Sequence, residues 1–218
     1  MKRLVVVLAV LFVLAIVAAV GLAVLDQRIR VEAEQHAAQR LAAELPIEGT
    51  PLVHIESFPF VLRVLNDGSV EQLEVSMRSL ESTGVRVDEA KLTIDGLVLD
   101  RDALLDDREI TLVSIEQATI DAWVSAEDLS RVAKVPVKIE DGEVSVTYRG
   151  KEYKGTAKVS KHAVLLLVDG VPPILSPLPS TDLLPCEPEL DIDGDRIHVA
   201  CTVDELPPAV AKVLAQRG

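Results

Sequence analysis

The chain begins with a long apolar run and continues as shorter segments in which apolar and polar residues alternate. Leu4 to Leu25 comprises 22 residues without a charged or strongly polar side chain, and about 20 such residues cross the hydrocarbon core of a bilayer as a helix. Lys2 and Arg3 precede this run, and Asp26 follows it. Because positive residues favour the cytoplasmic side, we expect residues 1–25 to form a signal anchor, a transmembrane helix with a cytoplasmic N-terminus.

A cleavable signal peptide is the alternative interpretation of the same run. Ala19 and Gly21 offer a small-x-small cleavage site, but the hydrophobic region of a signal peptide is typically only about 7–15 residues long. Under both interpretations residues 26–218 form an extracytoplasmic domain, which is tethered to the membrane if the run is retained and secreted if it is cleaved.

Helical periodicity follows the apolar run. One helix is predicted to leave the membrane with apolar residues at every fourth position, until Pro46 ends the pattern: Ile29, Ala33, Ala37, Leu41 and Leu45. Further on, Ser57 is predicted to cap a short helix that holds Pro59 in its first turn and ends at Gly68. Ser125 is predicted to cap a second short helix, and Asp204 a final one.

Most of the remaining chain alternates with the period of a β-strand. The predicted strands carry their apolar residues at Val53 and Ile55; Val70, Leu73, Val75 and Met77; Val85, Val87, Leu92 and Ile94; Leu97 and Leu99; Ile110, Leu112 and Ile115; and Ile120, Ala122 and Val124. Ala163 to Val168 is a wholly apolar strand, after which the prolines from Pro172 to Pro179 predict an ordered loop without regular structure.

Three two-residue turns set the expected hairpin registers. Asp141-Gly142 places Ile139 opposite Val144 and Val137 opposite Val146. A turn at Gly150-Lys151 pairs Tyr148 with Tyr153 and leaves Gly155 and Ala157 as a shallow patch with space above it. A turn at Asp193-Gly194 pairs Leu190 with Ile197 and sets Cys186 opposite Cys201.

These two cysteines are the only ones in the chain. An even pair in an exported domain is compatible with a disulfide, and the predicted register brings the two cysteines together. We therefore expect a Cys186–Cys201 bridge.

Composition narrows the possible functions. Apolar residues make up 49% of the chain and aromatic residues only 3%, so the core is expected to consist mainly of Val, Leu, Ile and Ala. The net charge of −13 opposes nucleic-acid binding, which depends on Lys and Arg neutralising phosphates. The same charge disfavours electrostatic adhesion to anionic lipid surfaces.

No local signature of hydrolysis, nucleotide binding or metal catalysis occurs in the sequence. Asp191, Asp193 and Asp195 are spaced like the start of a calcium loop but lack its later ligands, and are interpreted as a turn. The four histidines, His36, His54, His162 and His198, show no metal-ligand spacing, and Trp123 is assigned to ordinary packing. We predict no catalytic residue, metal or cofactor.

One short motif carries a resemblance to a known family. Ser57-Phe58-Pro59-Phe60-Val61-Leu62, the order of elements and Pro177-Leu178-Pro179 before a hairpin are similar to the LmeA-like phospholipid-binding family of actinobacteria. Phe58, Pro59 and Phe60 match the family motif, whereas Ser57 stands where members usually have Gly and Val61 where they have Leu. The similarity spans about residues 30–208.

The resemblance implies an α+β fold in which a long curved antiparallel β-sheet wraps around a helix and holds acyl chains in an apolar groove. It also implies a role in cell-envelope maintenance. The groove lining is predicted to include Phe58, Phe60, Leu73, Val75, Leu92 and Ile94. A noncatalytic carrier for a phospholipid or related envelope lipid is the leading hypothesis. Two alternatives are an envelope scaffold that binds another protein and a hydrolase using the acidic loop from Asp100 to Glu109.

Overall fold

A computed structural model describes residues 2–44, 49–82, 85–107, 110–140, 142–160, 163–168, 173–177, 186 and 188–205. It is mostly antiparallel β-structure with a few helices, which confirms the α+β class. The helices are α1 (Lys2–Glu44), α2 (Phe60–Asp67) and α3 (Ala126–Ala133), with a π-helical turn at Ala103–Asp107. The strands are β1 (Leu52–Glu56), β2 (Ser69–Ser82), β3 (Val85–Leu99), β4 (Leu112–Ser114), β5 (Gln117–Ser125), β6 (Val137–Glu140), β7 (Glu143–Tyr148), β8 (Lys151–Ser160), β9 (Ala163–Val168), β10 (Ile174–Pro177), β11 (Glu189–Asp193) and β12 (Arg196–Val203).

The strands form two sheets, where the sequence interpretation had one. The first has the order β1-β2-β3-β5-β12-β11, with β4 beside β3, and the second has the order β10-β9-β8-β7-β6. The chain leaves the first sheet where Ser125 ends β5 and caps α3, its hydroxyl accepting a hydrogen bond from the Asp128 N–H. This capped helix redirects the chain, so β6 starts a new sheet.

Two apolar clusters form the core. One lies between the two sheets and α3, and its fully buried members include Val144, Val146, Leu166 and Ile197. The other lies between the first sheet and the helices α1 and α2, and it includes Leu41, Phe60 and Ile94. The same sheet is therefore covered by strands at one end and by helices at the other.

Helix α1 is continuous over 43 residues. It carries both the predicted membrane segment and the helix predicted to follow it. In the second of these, Leu41 is buried, Ala33 and Ala37 are half-buried, and Ile29 is exposed. Its side chains are described at Phe12, Ile16, Val17 and from Ala19 to Ala43. Within the described residues, no helix meets the length and hydropathy required to traverse a bilayer. Fewer than half of the side chains from Leu4 to Leu25 are among those described, so the transmembrane helix stays a prediction.

One hairpin register is confirmed and two are shifted. Ile139 pairs with Val144 and Val137 with Val146, as the Asp141-Gly142 turn predicts. The next turn is formed by Arg149 and Gly150, both with positive φ, so Tyr148 pairs with Lys151 and Val146 with Tyr153. The predicted Tyr148–Tyr153 pair is therefore wrong.

Gly155 lies against β9 and not beneath open space. A Cβ atom added to it would be 2.6 Å from Cγ2 of Val168. The prediction of space above this glycine is wrong, because the glycine allows Val168 to approach the backbone closely.

The third hairpin turns at Gly194 and Asp195, so Ile192 pairs with Ile197 and Leu190 with Val199. The Cys186–Cys201 disulfide is nevertheless present, with a Cα–Cα distance of 5.9 Å. The bridge is thus confirmed although the register that suggested it is shifted by two residues. Cys186 precedes β11 and does not lie directly opposite Cys201 in the ladder.

The proline-rich segment contains a strand that the sequence interpretation missed. Residues Ile174 to Pro177 form β10, which pairs with β9 at the edge of the second sheet. Proline is compatible with an edge strand because no neighbour requires its missing N–H. The final helix predicted from Asp204 lies largely outside the described residues, as do Leu45, Pro46 and His162.

Candidate functional site

The Phe58-Pro59-Phe60 segment joins β1 to α2 and directs its two aromatic rings to different environments. The Phe58 side chain is 65% exposed, whereas Phe60 is only 9% exposed and belongs to the core cluster beneath α1 and α2. The peptide bond between Phe58 and Pro59 is cis. The motif therefore presents one aromatic side chain to the surface and one to the interior.

The carboxylate of Asp26 holds the start of α2. Its Oδ2 accepts a hydrogen bond from the Phe60 N–H at 3.1 Å, and its Oδ1 accepts one from the Val61 N–H at 2.7 Å. The first N–H groups of a helix have no acceptor within the helix, and a carboxylate is favoured there by the helix dipole. Asp26 thus caps a helix that lies 34 residues further along the chain.

The prediction that Ser57 caps α2 is wrong. Helix α2 begins at Phe60 after Pro59, and no side-chain hydrogen bond from Pro59 caps it. Ser57 is buried, and its hydroxyl has no hydrogen-bond partner among the described residues. Sequence reasoning missed Asp26 because capping motifs are local, whereas this residue follows the apolar run and lies 34 positions before Phe60. The predicted stop at Gly68 is confirmed: this residue has φ 73° and donates its N–H to the Val64 carbonyl.

A second carboxylate on α1 contacts β1. Glu34 Oε1 accepts a hydrogen bond from the Ile55 N–H at 2.9 Å and lies 3.3 Å from Nδ1 of His54. Between and beyond the two carboxylates, α1 contributes Ala33, Ala38 and Leu41 to the interior. Helix α1 is therefore held by two polar contacts and a thin apolar face.

An apolar cavity of about 270 Å³ lies between α1 and α2. Its lining is apolar except for Asp26, and consists of Ala19, Leu22, Ala23, Leu25, Asp26, Phe58, Pro59, Val61 and Leu62. Because the Asp26 carboxylate is occupied by the two N–H groups of α2, the cavity offers hydrocarbon contacts and little hydrogen bonding. This is the chemistry of an acyl-chain site rather than of a head-group site.

The six predicted groove residues do not form one open surface. Phe58 lines the cavity. The other five belong to the buried cluster beneath α1 and α2: Phe60, Leu73, Val75, Leu92 and Ile94. The four residues on β2 and β3 share one face of the first sheet, as predicted, but helices cover that face. Their contact with lipid stays a prediction.

Several of the charged residues singled out from the sequence have structural partners, among them Asp100, Asp193 and His198. Asp100 Oδ1 accepts hydrogen bonds from the N–H groups of Asp102 and Ala103, each at 3.0 Å, and so shapes its own loop. No group of three or more His, Cys, Asp or Glu residues that could hold a metal occurs within the described ranges. Glu109 of the acidic loop lies outside the described residues, and a catalytic role for this loop stays a prediction.

Trp123 lies on the face of the first sheet that points away from the core. It stacks on His198 with ring centroids 4.7 Å apart, and its Nε1–H donates to Oδ2 of Asp193 at 3.2 Å. His198 in turn lies 2.8 Å from Oδ1 of Asp121. This network joins β5 to the β11–β12 hairpin and gives Trp123 structural partners within the sheet.

A carboxylate pair occurs next to α3, in which Asp128 is buried and Asp88 is half-buried. Burial raises the pKa of Asp128 above its ordinary value, and the neighbouring Asp88 carboxyl raises it further through a hydrogen bond and like charge. Arg131 contacts Asp128, and Asp88 Oδ2 accepts a hydrogen bond from the Ser125 N–H at 2.8 Å. The pair links β3 to α3 on the side of the molecule formed by the second sheet.

Comparison with known proteins identifies one family. The model of the LmeA-like phospholipid-binding family matches residues 24–216, which is nearly the whole chain. No curated protein and no solved structure matches the chain. The match begins at the last turn of the apolar run and includes Asp26, α2 and both sheets. The chain belongs to the LmeA-like phospholipid-binding family.

Proposed function

We propose that this protein binds phospholipid or a related envelope lipid outside the cytoplasm, tethered to the membrane by its N-terminal helix, and acts as a carrier in cell-envelope maintenance. Family membership over residues 24–216 supports lipid binding. The observation that carries the proposal is the apolar cavity between α1 and α2. It adjoins the helix-covered core, which supplies further apolar surface.

The tether is supported by sequence and exposure. Leu4 to Leu25 has the length and composition of a membrane span. The apolar side chains described within it at Phe12, Ile16, Val17 and Val20 are all exposed, so no part of the described domain covers them. Burying such side chains in lipid is favourable by about 1.5–3 kcal/mol for each large one.

The cavity accommodates part of an acyl chain. Its volume of about 270 Å³ lies just below the range of roughly 300–1,000 Å³ that is usual for small-molecule sites. A whole lipid therefore requires α1 to separate from the core cluster beneath it. That separation exchanges the contacts of Ala33 and Leu41 with the cluster for an acyl chain, which gains about 0.8 kcal/mol for each methylene buried. It would also expose the predicted lining at Leu73 and Ile94.

Mass spectrometry of organic extracts from the purified full chain tests lipid binding. We expect phospholipid to copurify, or to be taken up from vesicles. Ala23→Phe should reduce the bound lipid because the new ring fills the cavity, whereas Val24→Phe adds the same ring at an exposed position outside the lining. A folded protein that neither retains nor takes up lipid would contradict the proposal.

The scaffold and hydrolase alternatives stay predictions. A protein partner retained equally by wild type and Ala23→Phe would favour the scaffold. A hydrolytic activity lost on neutralising the carboxylates of the Asp100 to Glu109 loop would favour the hydrolase.

A further inference from the structure

Helix α2 has exposed apolar residues in addition to those that face the core. Phe60, Val61 and Val64 pack against the core cluster. Outside the core-facing side, Leu62 (62% exposed) and Leu65 (46% exposed) form a second apolar surface next to the polar residues Arg63, Asn66 and Asp67. Exposed apolar patches mark interaction surfaces.

This second surface is continuous with the apolar segment of α1. Phe58 and Leu62 lie across the cavity from Ala19, Leu22 and Ala23. Ala19 precedes Asp26 by seven residues, which corresponds to about 10 Å along a helix axis. Phe58 and Leu62 therefore flank the last two turns of the apolar run.

Asp26 fixes this arrangement, because its carboxylate bonds to the first N–H groups of α2. Asp26 is also the first charged residue after the apolar run. The start of α2 is thereby held at the level where the chain leaves the apolar segment, and its exposed side is directed along that segment. Helices lying in a bilayer interface bury their apolar face about 5–10 Å deep, which agrees with the extent of the contact.

We propose that the outer side of α2, formed by Phe58, Leu62 and Leu65, is embedded in the outer leaflet of the membrane beside α1. This inference rests on the proposed tether and adds a second membrane contact to it. It also places the cavity relative to the membrane. The space between α1 and α2 then opens within the leaflet, so an acyl chain reaches it without crossing water. The occupant of the apolar surface is the lipid bilayer.

Fluorescence quenching by brominated phosphatidylcholine tests the inference on the full chain in vesicles. Trp123 is the only tryptophan, and it is first replaced by Phe. In this background a single tryptophan is then introduced by Leu62→Trp or, as a second variant, by Phe58→Trp. Val113→Trp, at a 62% exposed position on β4, is the matched water-exposed control, and Phe12→Trp reports on the tether.

We expect bromine near the carbonyl end of the acyl chains to quench the Leu62→Trp and Phe58→Trp variants at least twofold more than the Val113→Trp variant. Quenching of the Phe12→Trp variant alone would overturn the inference and leave the tether intact. Blue-shifted but unquenched emission at position 62 would also overturn it, since a protein would then cover the surface. An unquenched Phe12→Trp variant would refute the tether itself, and the inference with it.

Discussion

Removal of the Asp26 carboxylate should release α2 from α1. In the folded chain this group accepts the N–H groups of Phe60 and Val61, and leaving a buried donor without an acceptor costs about 1–3 kcal/mol. The bond to Phe60 is buried and the bond to Val61 is partly buried. We therefore expect Asp26→Ala to lower the free energy of unfolding by about 2–4 kcal/mol. Asp26→Asn should lose roughly half as much, because an amide has one acceptor oxygen and turns its NH₂ towards the other donor.

Chemical unfolding of the full chain in a nonionic detergent, followed by Trp123 fluorescence, measures these differences. Hydrogen exchange in α2 provides a local measure, and its amides should exchange faster in Asp26→Ala. Glu32→Ala is the matched control: Glu32 is an exposed carboxylate on α1 that makes no hydrogen bond or ion pair with another described residue. It should change the stability by no more than about 0.5 kcal/mol. Equal stabilities for Asp26→Ala and Glu32→Ala, with unchanged exchange in α2, would refute the role given to Asp26.

Three further substitutions test individual features. Gly68→Ala should destabilise the fold more than Gly194→Ala in the same unfolding assay. Both glycines have positive φ, but only at Gly68 would a Cβ lie 2.1 Å from a backbone oxygen. The control Gly194→Ala should therefore be destabilised only by the left-handed backbone conformation of the alanine, which costs about 1–2 kcal/mol. Ser57→Ala should raise the stability by about 1 kcal/mol, because it removes a buried hydroxyl without a described partner; a lower unfolding midpoint would contradict this. Asp128→Asn tests the raised pKa, whose causes are burial and Asp88. The stability that this pKa contributes is present below about 3.8 and is lost as the pH rises through the raised value, so the stability of Asp128→Asn relative to wild type should increase from pH 4 to pH 7 and not stay constant.

Features that depend on neighbouring residues were predictable from the sequence. Gly68 ends α2 and Ser125 caps α3 because each acts within four residues of its own position. The Asp141-Gly142 turn likewise fixed its hairpin. These interactions are encoded locally, so periodicity and capping rules identify them.

Features that depend on distant contacts were not predictable. The Asp26 cap joins residues 34 positions apart, and no local rule relates them. The hairpin shifts have another cause. Moving a turn from Gly150-Lys151 to Arg149-Gly150 changes the register by two residues and leaves every side chain on the same face. Alternation of apolar residues cannot distinguish the two registers.

The candidate site was predictable only as a set of inward-facing residues. Alternation placed Leu73, Val75, Leu92 and Ile94 on one face of the sheet, where the structure has them. It could not tell whether a helix or a ligand covers that face, because both present hydrocarbon to it. The cavity is formed by α1 and α2, and its position depends on the Asp26 contact.

The continuity of α1 has a mechanical consequence for a chain anchored as proposed. The 43-residue helix passes from the apolar segment into the domain without interruption, so there is no flexible linker at that junction. The part from Asp26 to Glu44 extends about 28 Å along the helix axis. While α1 is packed on the core cluster, the domain moves relative to the bilayer as the whole helix tilts or rotates, which keeps it at a fixed height. A domain held at a fixed height favours lipid exchange with acceptors that approach the membrane surface. It is less suited to carrying lipid across the full width of an envelope.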